Sequence, residues 1–129
     1  MKWLKESAVL AIHTIQIAEH GGQTGVRELG LMSSALPRAQ HIHFYKPDVD
    51  IAELAAAYAF GITKNHPFND GNKRTAFVAM YMFLRINSFD LKVGNDEEEY
   101  LIMLQLAEGS ISEQDLIEWI RKNLISLYA

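Results

Sequence analysis

Phe77-Val78-Ala79-Met80-Tyr81-Met82-Phe83-Leu84, eight consecutive apolar residues, is the stretch on which the fold turns. Taken alone, such a run suits a buried strand as well as a buried helix. Its flanks decide the matter: the pattern extends over residues 75–87, longer than an ordinary strand, and is rich in Ala, Met and Leu, which lose little freedom on entering a helix. A helix buried all round is expected there, with the other elements packed around it.

Upstream, Asp50 followed by Glu53 has capping-box spacing, with Asp in the Ser/Thr place, and opens an Ala-rich helix over residues 51–65. Pro67 then turns His66 away from helical torsions. Farther out, Leu4, Ala8, Ala11, Ile12, Ile15 and Ala18 recur at helical spacing until Gly21-Gly22, a pair suited to a cap with positive φ. Residues 23–30 read as an ordered loop, residues 31–36 as a short helix disturbed by Pro37, and residues 41–48 as an irregular or short extended excursion. Downstream, residues 89–93 read as extended, and Asn95 or Asp96 caps a helix running to Glu108, closed by Gly109. Ser112 with Asp115 repeats the capping pattern before a last helix whose stripe is Leu116, Ile117, Ile120, Leu124 and Leu127. With no repeat and no linker, the expectation is one all-α domain over residues 1–129, of five or six helices with at most a short hairpin.

Composition narrows the function classes. The 129 residues are 49% hydrophobic and 22% charged, enough to bury about two thirds of the unfolded surface around one core. Lys+Arg 12 against Asp+Glu 16 leaves a net charge of -4 with no basic block, which argues against direct nucleic-acid binding as the main task. Cysteine is absent, removing disulfides, zinc-thiolate sites and thiol nucleophiles together. The longest uncharged apolar stretches, residues 54–63 and 75–84, are about half of what a membrane span needs, so no membrane association and a cytoplasmic location are expected.

The unusual chemistry is concentrated in His66-Pro67-Phe68-Asn69-Asp70-Gly71-Asn72-Lys73-Arg74-Thr75, a polar loop between two apolar helices. Gly71 permits positive φ and close approach of a ligand, while Asn72, Lys73 and Arg74 fall where the next helix presents free N–H groups and the positive end of its dipole. Two cations there oppose the dipole, which points to a bound polyanion, with phosphate the natural candidate. Asp70 beside it suits Mg²⁺, and His66 is the one loop side chain whose ordinary titration lies near neutrality. Plainer readings exist for each residue: Phe68 as an anchor, Asn69 as a turn residue, Asp70 as a cap, Lys73 and Arg74 as solvated charges, His66 as a hydrogen bonder at a helix end. Their coincidence in so short a segment favours function. Elsewhere His41-x-His43 could hold a metal only with a third ligand that the local sequence does not offer, His13 and His20 read as helix-surface residues, and residues 96–99 as a solvated first turn.

The segment from His66 to Arg74 closely resembles the signature of the Fic/Doc family, specifically its Doc (death-on-curing) toxin branch, where the pattern is His-x-Phe-x-Asp-x-Asn-Lys-Arg. The resemblance covers nearly the whole chain: residues 20–27 look like the family's glycine-rich segment, Ser34-Ala35-Leu36 like its second helix, and Ala107-Glu108-Gly109 like its late turn. It implies the compact six-helix Fic fold around a central buried helix. It also implies that His66 is the general base toward a target hydroxyl and Asp70 the Mg²⁺ ligand, with Asn72, Lys73 and Arg74 holding ATP phosphates in a turn formed by Gly71 to Thr75. Relatives that transfer AMP carry Gly-Asn-Gly-Arg-x-x-Arg, whereas Lys73 here replaces the second Gly and Phe77 the second Arg. In the Doc branch this goes with a reversed nucleotide that presents its γ-phosphate. The implied function is a Mg-ATP-dependent protein Ser/Thr kinase toxin, with elongation factor Tu as target, translation arrest as outcome and a Phd-like antitoxin as partner. AMP transfer and a catalytically silent binding module are the alternatives. The self-inhibitory Ser/Thr-x-x-x-Glu-Gly/Asn helix of some relatives is matched in spacing only by Thr24 and Glu28, which Leu29 follows within the glycine-rich segment. The segment before the third helix, here His43-Phe44-Tyr45, is implied to form a flap that docks the target.

Overall fold

The computed structural model describes residues 1–92 and 96–128. Its helices are α1 (Glu6–His20), α2 (Leu29–Ala35), α3 (Arg38–Tyr45), α4 (Ile51–Asn65), α5 (Asn72–Ile86), α6 (Asp96–Glu108) and α7 (Glu113–Asn123). Two short strands, β1 (Phe89–Leu91) and β2 (Leu124–Ser126), pair antiparallel with Asp90 opposite Ile125. The fold is all-α, as expected. Among the described residues no helix is long and apolar enough to cross a membrane.

α4 occupies the centre, where the sequence leads one to expect α5, because its small side chains let more neighbours close on it. Ala52, Leu54, Ala55, Ala56, Ala57, Tyr58, Ala59 and Ile62 are essentially sealed from solvent. The small side chains let neighbours approach closely: a Cβ at Gly61 would lie 3.1 Å from the Ala35 carbonyl of α2. Asp50 caps the helix as its spacing predicts, accepting the Glu53 N–H at 3.1 Å. The Glu53 side chain does not complete the box; it turns to Arg121 of α7 instead. α5 packs mainly on α4 and contributes Ala76, Ala79, Met80, Phe83 and Leu84 to the core. Each of the larger residues adds about 1.5–3 kcal/mol of burial. The expectation that α5 is buried all round is corrected: Phe77, Val78 and Tyr81 are half-buried and Met82 is exposed, and Phe77 and Val78 look onto a cleft rather than a neighbour.

Two other expectations change. Residues 41–48, read as irregular, largely belong to α3, which starts after Pro37 at φ -69°, a torsion already suited to a helix start. It buries only Ala39 fully, so its sequence carries little periodicity. Leu124 and Leu127 are not on the last helix: α7 keeps Leu116, Ile117 and Ile120 on its buried face, and at Leu124 the chain becomes extended to pair with β1. The capping box of α7 is complete, with Ser112 and Asp115 each accepting the other's backbone N–H. The extended segment is observed at Phe89–Leu91; Val93, and the proposed cap at Asn95 or Asp96, lie outside the described side chains.

The N-terminal segment is pinned over the core. The Leu4 N–H donates to the Tyr58 hydroxyl at 3.1 Å, and the Asn87 side chain bridges both backbone groups of Lys2 at 2.9 Å. Trp3 stacks on Phe83, which in turn meets Tyr58. These contacts fix α1 against α5, and the α1–α5 seam carries the site.

Candidate active site

The loop between α4 and α5 is held from three sides. At its start His66 caps α4 in the left-handed region, φ 49° and ψ 58°, a conformation uncommon for a residue with a side chain. Its backbone is over-determined. The Arg27 guanidinium donates to the His66 carbonyl at 2.9 Å and to the Asn65 carbonyl at 3.0 Å, while the Arg27 N–H reaches the Pro67 carbonyl at 2.7 Å. The imidazole is left exposed, without a hydrogen-bond partner among the described residues.

In the middle, Phe68 is the buried anchor. The Asn72 side chain accepts the Phe68 N–H and donates to the Phe68 carbonyl, both at 3.0 Å, closing the loop into a ring. His13 of α1 stacks flat on Phe68 with centroids 3.7 Å apart and hydrogen bonds the Asp70 carbonyl through Nε2 at 2.8 Å. His13 is therefore a buried support of the loop, correcting its reading as a surface residue. The glycine-rich segment 21–27 forms the third wall. Val26 bridges Phe68, the Asn69 N–H reaches the Gly25 carbonyl, and the Gln23 N–H donates to Asp70 Oδ2 at 3.1 Å. A Cβ at Gly22 would stand 2.7 Å from that same oxygen, at φ +117°. Glycine is required there by space and by torsion.

Asp70 Oδ1 accepts the Gly71 N–H at 2.8 Å. The two backbone donors, Gln23 first and then Gly71, hold the exposed Asp70 carboxyl below the usual carboxylate range, with Lys73 adding a smaller field. Gly71 is the N-cap of α5 in the left-handed region, so the free N–H groups of the first turn open outward beside Lys73 and Arg74. Arg27, Arg38, Arg85 and Arg121 are all engaged with carbonyls or carboxylates. Lys73 and Arg74 have no hydrogen-bond or ion-pair partner among the described residues. A cleft of about 330 Å³ brings His66, Asn69, Asp70, Gly71, Asn72, Lys73 and Arg74 to one surface, closed on the far side by α1 and Tyr100.

Thr75 stands apart. It is fully enclosed, lines neither this cleft nor its neighbour, and belongs to the core side of α5, so its side chain is withdrawn from the set expected to hold phosphate. Asn72 lines the cleft, yet its side chain is spent on Phe68, which makes it a shaper of the turn. The Phe44 and Tyr45 rings are exposed on α3 and line neither cleft; the segment lying along the loop is 22–27. His41 and His43 belong to no group of three or more metal-ligating side chains among the described residues. Sequence reasoning missed Arg27, His13 and Gln23, which act through contacts 39 to 57 residues away. The glycines beside Gln23 and Arg27 were the available signal.

A family model described as Fic/DOC matches residues 3–84. Among curated proteins, "Protein kinase doc" of Escherichia phage P1 is 29% identical over 122 residues, covering 95% of both chains. "Toxin Doc" of Mycolicibacterium smegmatis is 38% identical over 78 residues, 59% of each chain.

Proposed function

The chain belongs to the Fic/Doc family, and on that premise we propose that it is a Doc-type toxin, a protein kinase that transfers the γ-phosphate of ATP to a Ser or Thr hydroxyl. The observation that carries this reading is the pair of uncommitted cations, Lys73 and Arg74, on a helix N-terminus in one cleft with Asp70 and His66. The relatives named as a kinase and as a toxin support it.

Phosphoryl transfer asks for positioning and charge compensation more than for covalent work by the protein. The first-turn N–H groups of α5 with Lys73 and Arg74 compensate phosphate charge; Gly71 lets the phosphates approach the backbone. His66, held by Arg27 at its backbone and open at its ring, takes the proton of the target hydroxyl. The bond from that oxygen to the γ-phosphorus forms as the bond to the β,γ-bridging oxygen breaks, and ADP leaves. Asp70 fits a magnesium ion shared with phosphate: each of its oxygens accepts one N–H and keeps lone pairs, and one carboxylate plus phosphate oxygens is what this hard ion takes. When bound, the ion supplies neutralisation of the phosphate charge.

The target we propose is elongation factor Tu, with translation arrest as the consequence. Thr24 and Glu28 are not on one helix, Glu28 being the N-cap of α2, so no self-inhibitory helix is built from them. A Phd-like antitoxin laying an amphipathic helix on the bundle is proposed as the brake. Two experiments test the reading. Purified elongation factor Tu incubated with the protein and Mg-ATP should gain a phosphate-sized mass on one Ser or Thr; an unmodified factor removes this target. Growth arrest on expression of the chain, relieved by co-expressing the antitoxin, supports the toxin role; harmless expression with His66, Asp70 and Arg74 intact refutes it.

A further inference from the structure

His13 is a buried polar side chain that the proposed transfer does not use. It sits on α1, 5% exposed, one turn before Ile17 on the face that α1 turns to the loop. Its ring lies flat on Phe68, with centroids 3.7 Å apart and planes 3° from parallel, and its Nε2 is 2.8 Å from the Asp70 carbonyl. A carbonyl oxygen only accepts, so Nε2 carries a proton and donates it. The state of the other ring nitrogen does not enter.

What this bond holds is a single peptide unit. The Asp70–Gly71 peptide gives its carbonyl to His13 on one side and its N–H to Asp70 Oδ1, at 2.8 Å, on the other. The C=O and N–H of a trans peptide point in opposite directions, so a half-turn of this plane would cost both bonds and face a carbonyl oxygen toward the Asp70 carboxylate. Gly71 does not prevent such a turn. Its φ is 75°, and glycine takes positive and negative φ about equally readily. The orientation is therefore chosen from outside the loop, and His13 is the side chain placed to choose it. Ile17 Cδ1 and the His13 ring are also the atoms nearest to a Cβ built at Gly71, at 3.1 and 3.6 Å, so α1 closes the space on that side.

We propose that His13 is a positioning residue: by fixing the Asp70–Gly71 peptide it keeps the Gly71 N–H on Asp70 Oδ1, and so holds the carboxylate in the orientation from which it shares magnesium with phosphate. The magnesium part rests on the function proposed above; the peptide latch does not.

The test reads the peptide first and magnesium second. In the unaltered protein, long-range proton–nitrogen NMR correlations should show His13 protonated at Nε2; a bare Nε2 overturns the latch. Hydrogen exchange at the Gly71 amide is then compared in His13→Phe, which keeps a ring for Phe68 but has no donor, and in His13→Gln, which keeps a side-chain N–H. Exchange at Gly71 should quicken about five- to tenfold in His13→Phe, the scale of one hydrogen bond, while the buried α5 residues Ala79 and Phe83 keep their rates. His13→Gln should restore the rate of the unaltered protein. Unchanged exchange at Gly71 in His13→Phe overturns the proposal, and so does an equal rise at Gly71, Ala79 and Phe83, which marks a general loss of stability. In calorimetry with ATP, the gain in affinity on adding magnesium should be smaller by a similar factor in His13→Phe, with magnesium-free affinity unchanged, and should vanish in Asp70→Asn. A full gain in His13→Phe beside a lost gain in Asp70→Asn overturns the positioning role. A full gain in Asp70→Asn overturns the magnesium reading of Asp70 instead, and the exchange rates alone then decide the latch.

Discussion

His66 and Gly22 show how much of the chemistry hangs on single positions. The His66 ring is free while its backbone is gripped by Arg27, which is the arrangement a proton acceptor needs: fixed origin, open face. His66→Ala should lower transfer by about two to four orders of magnitude and leave ATP affinity nearly unchanged, as read by single-turnover rates beside calorimetry. Near-normal turnover in a folded variant would remove the role. Gly22 acts through space. In Gly22→Ala the new methyl meets Asp70 Oδ2, so Asp70 or segment 22–27 must shift. The variant should be destabilised by about 1–3 kcal/mol from the strained positive φ and should bind Mg-ATP more weakly. An alanine variant with unaltered urea midpoint and affinity would show that Asp70 is not held from this side. The motif residues themselves were legible because they are contiguous. Arg27, His13 and Gln23 were not: the neighbouring glycines mark the segment of Gln23 and Arg27 but not its role, and nothing local marks His13, until the chain folds back over tens of residues. Thr75 was misplaced for the converse reason: motif proximity put it in the turn, and the helical rotation of α5 carries it into the core.

Among the elements, caps were the most readable features, because Asp50 and Ser112 find their partners within three residues. Endings were harder. α7 stops where Leu124 gains a β1 partner more than thirty residues earlier, a fact that an apolar stripe cannot report. α7 is also tied to α4 by Arg121, which binds Asp50, Glu53 and Glu118. Partial burial of Asp50 raises its pKa, but the Arg121 hydrogen bond and the Glu53 N–H outweigh it and leave the carboxyl below its ordinary value of 3.8. A carboxyl lowered by folding stabilises the fold fully above its unfolded pKa and ceases to do so as pH falls through the folded value. Arg121→Met should therefore lower the denaturant midpoint only slightly at neutral pH, this being a largely exposed cluster, and the difference should shrink as pH falls below about 4. Denaturant midpoints of both proteins at pH 7 and pH 3 check it; an equal gap at both values would mean that Arg121 acts through packing alone.

For the whole molecule, an Ala-rich central helix lets α2, α3, α5 and α7 close on it, and the seam between α5 and α1 then exposes one helix N-terminus between a polar arm and an apolar arm. The all-α class followed from periodicity, and the polar arm from the motif. The apolar arm was not legible, since it forms only when Phe77 of α5 and Tyr100 of α6 come to line one cavity. On the proposed function, the direction in which a nucleotide lies across this seam decides the reaction. The direct measurement is label transfer in a cell extract, with magnesium, from ATP labelled at the γ- or at the α-phosphate, comparing the protein with His66→Ala. Protein-bound label from γ-labelled ATP only, absent with the variant, is the predicted result; label from α-labelled ATP, or incorporation no greater than with His66→Ala, would contradict it.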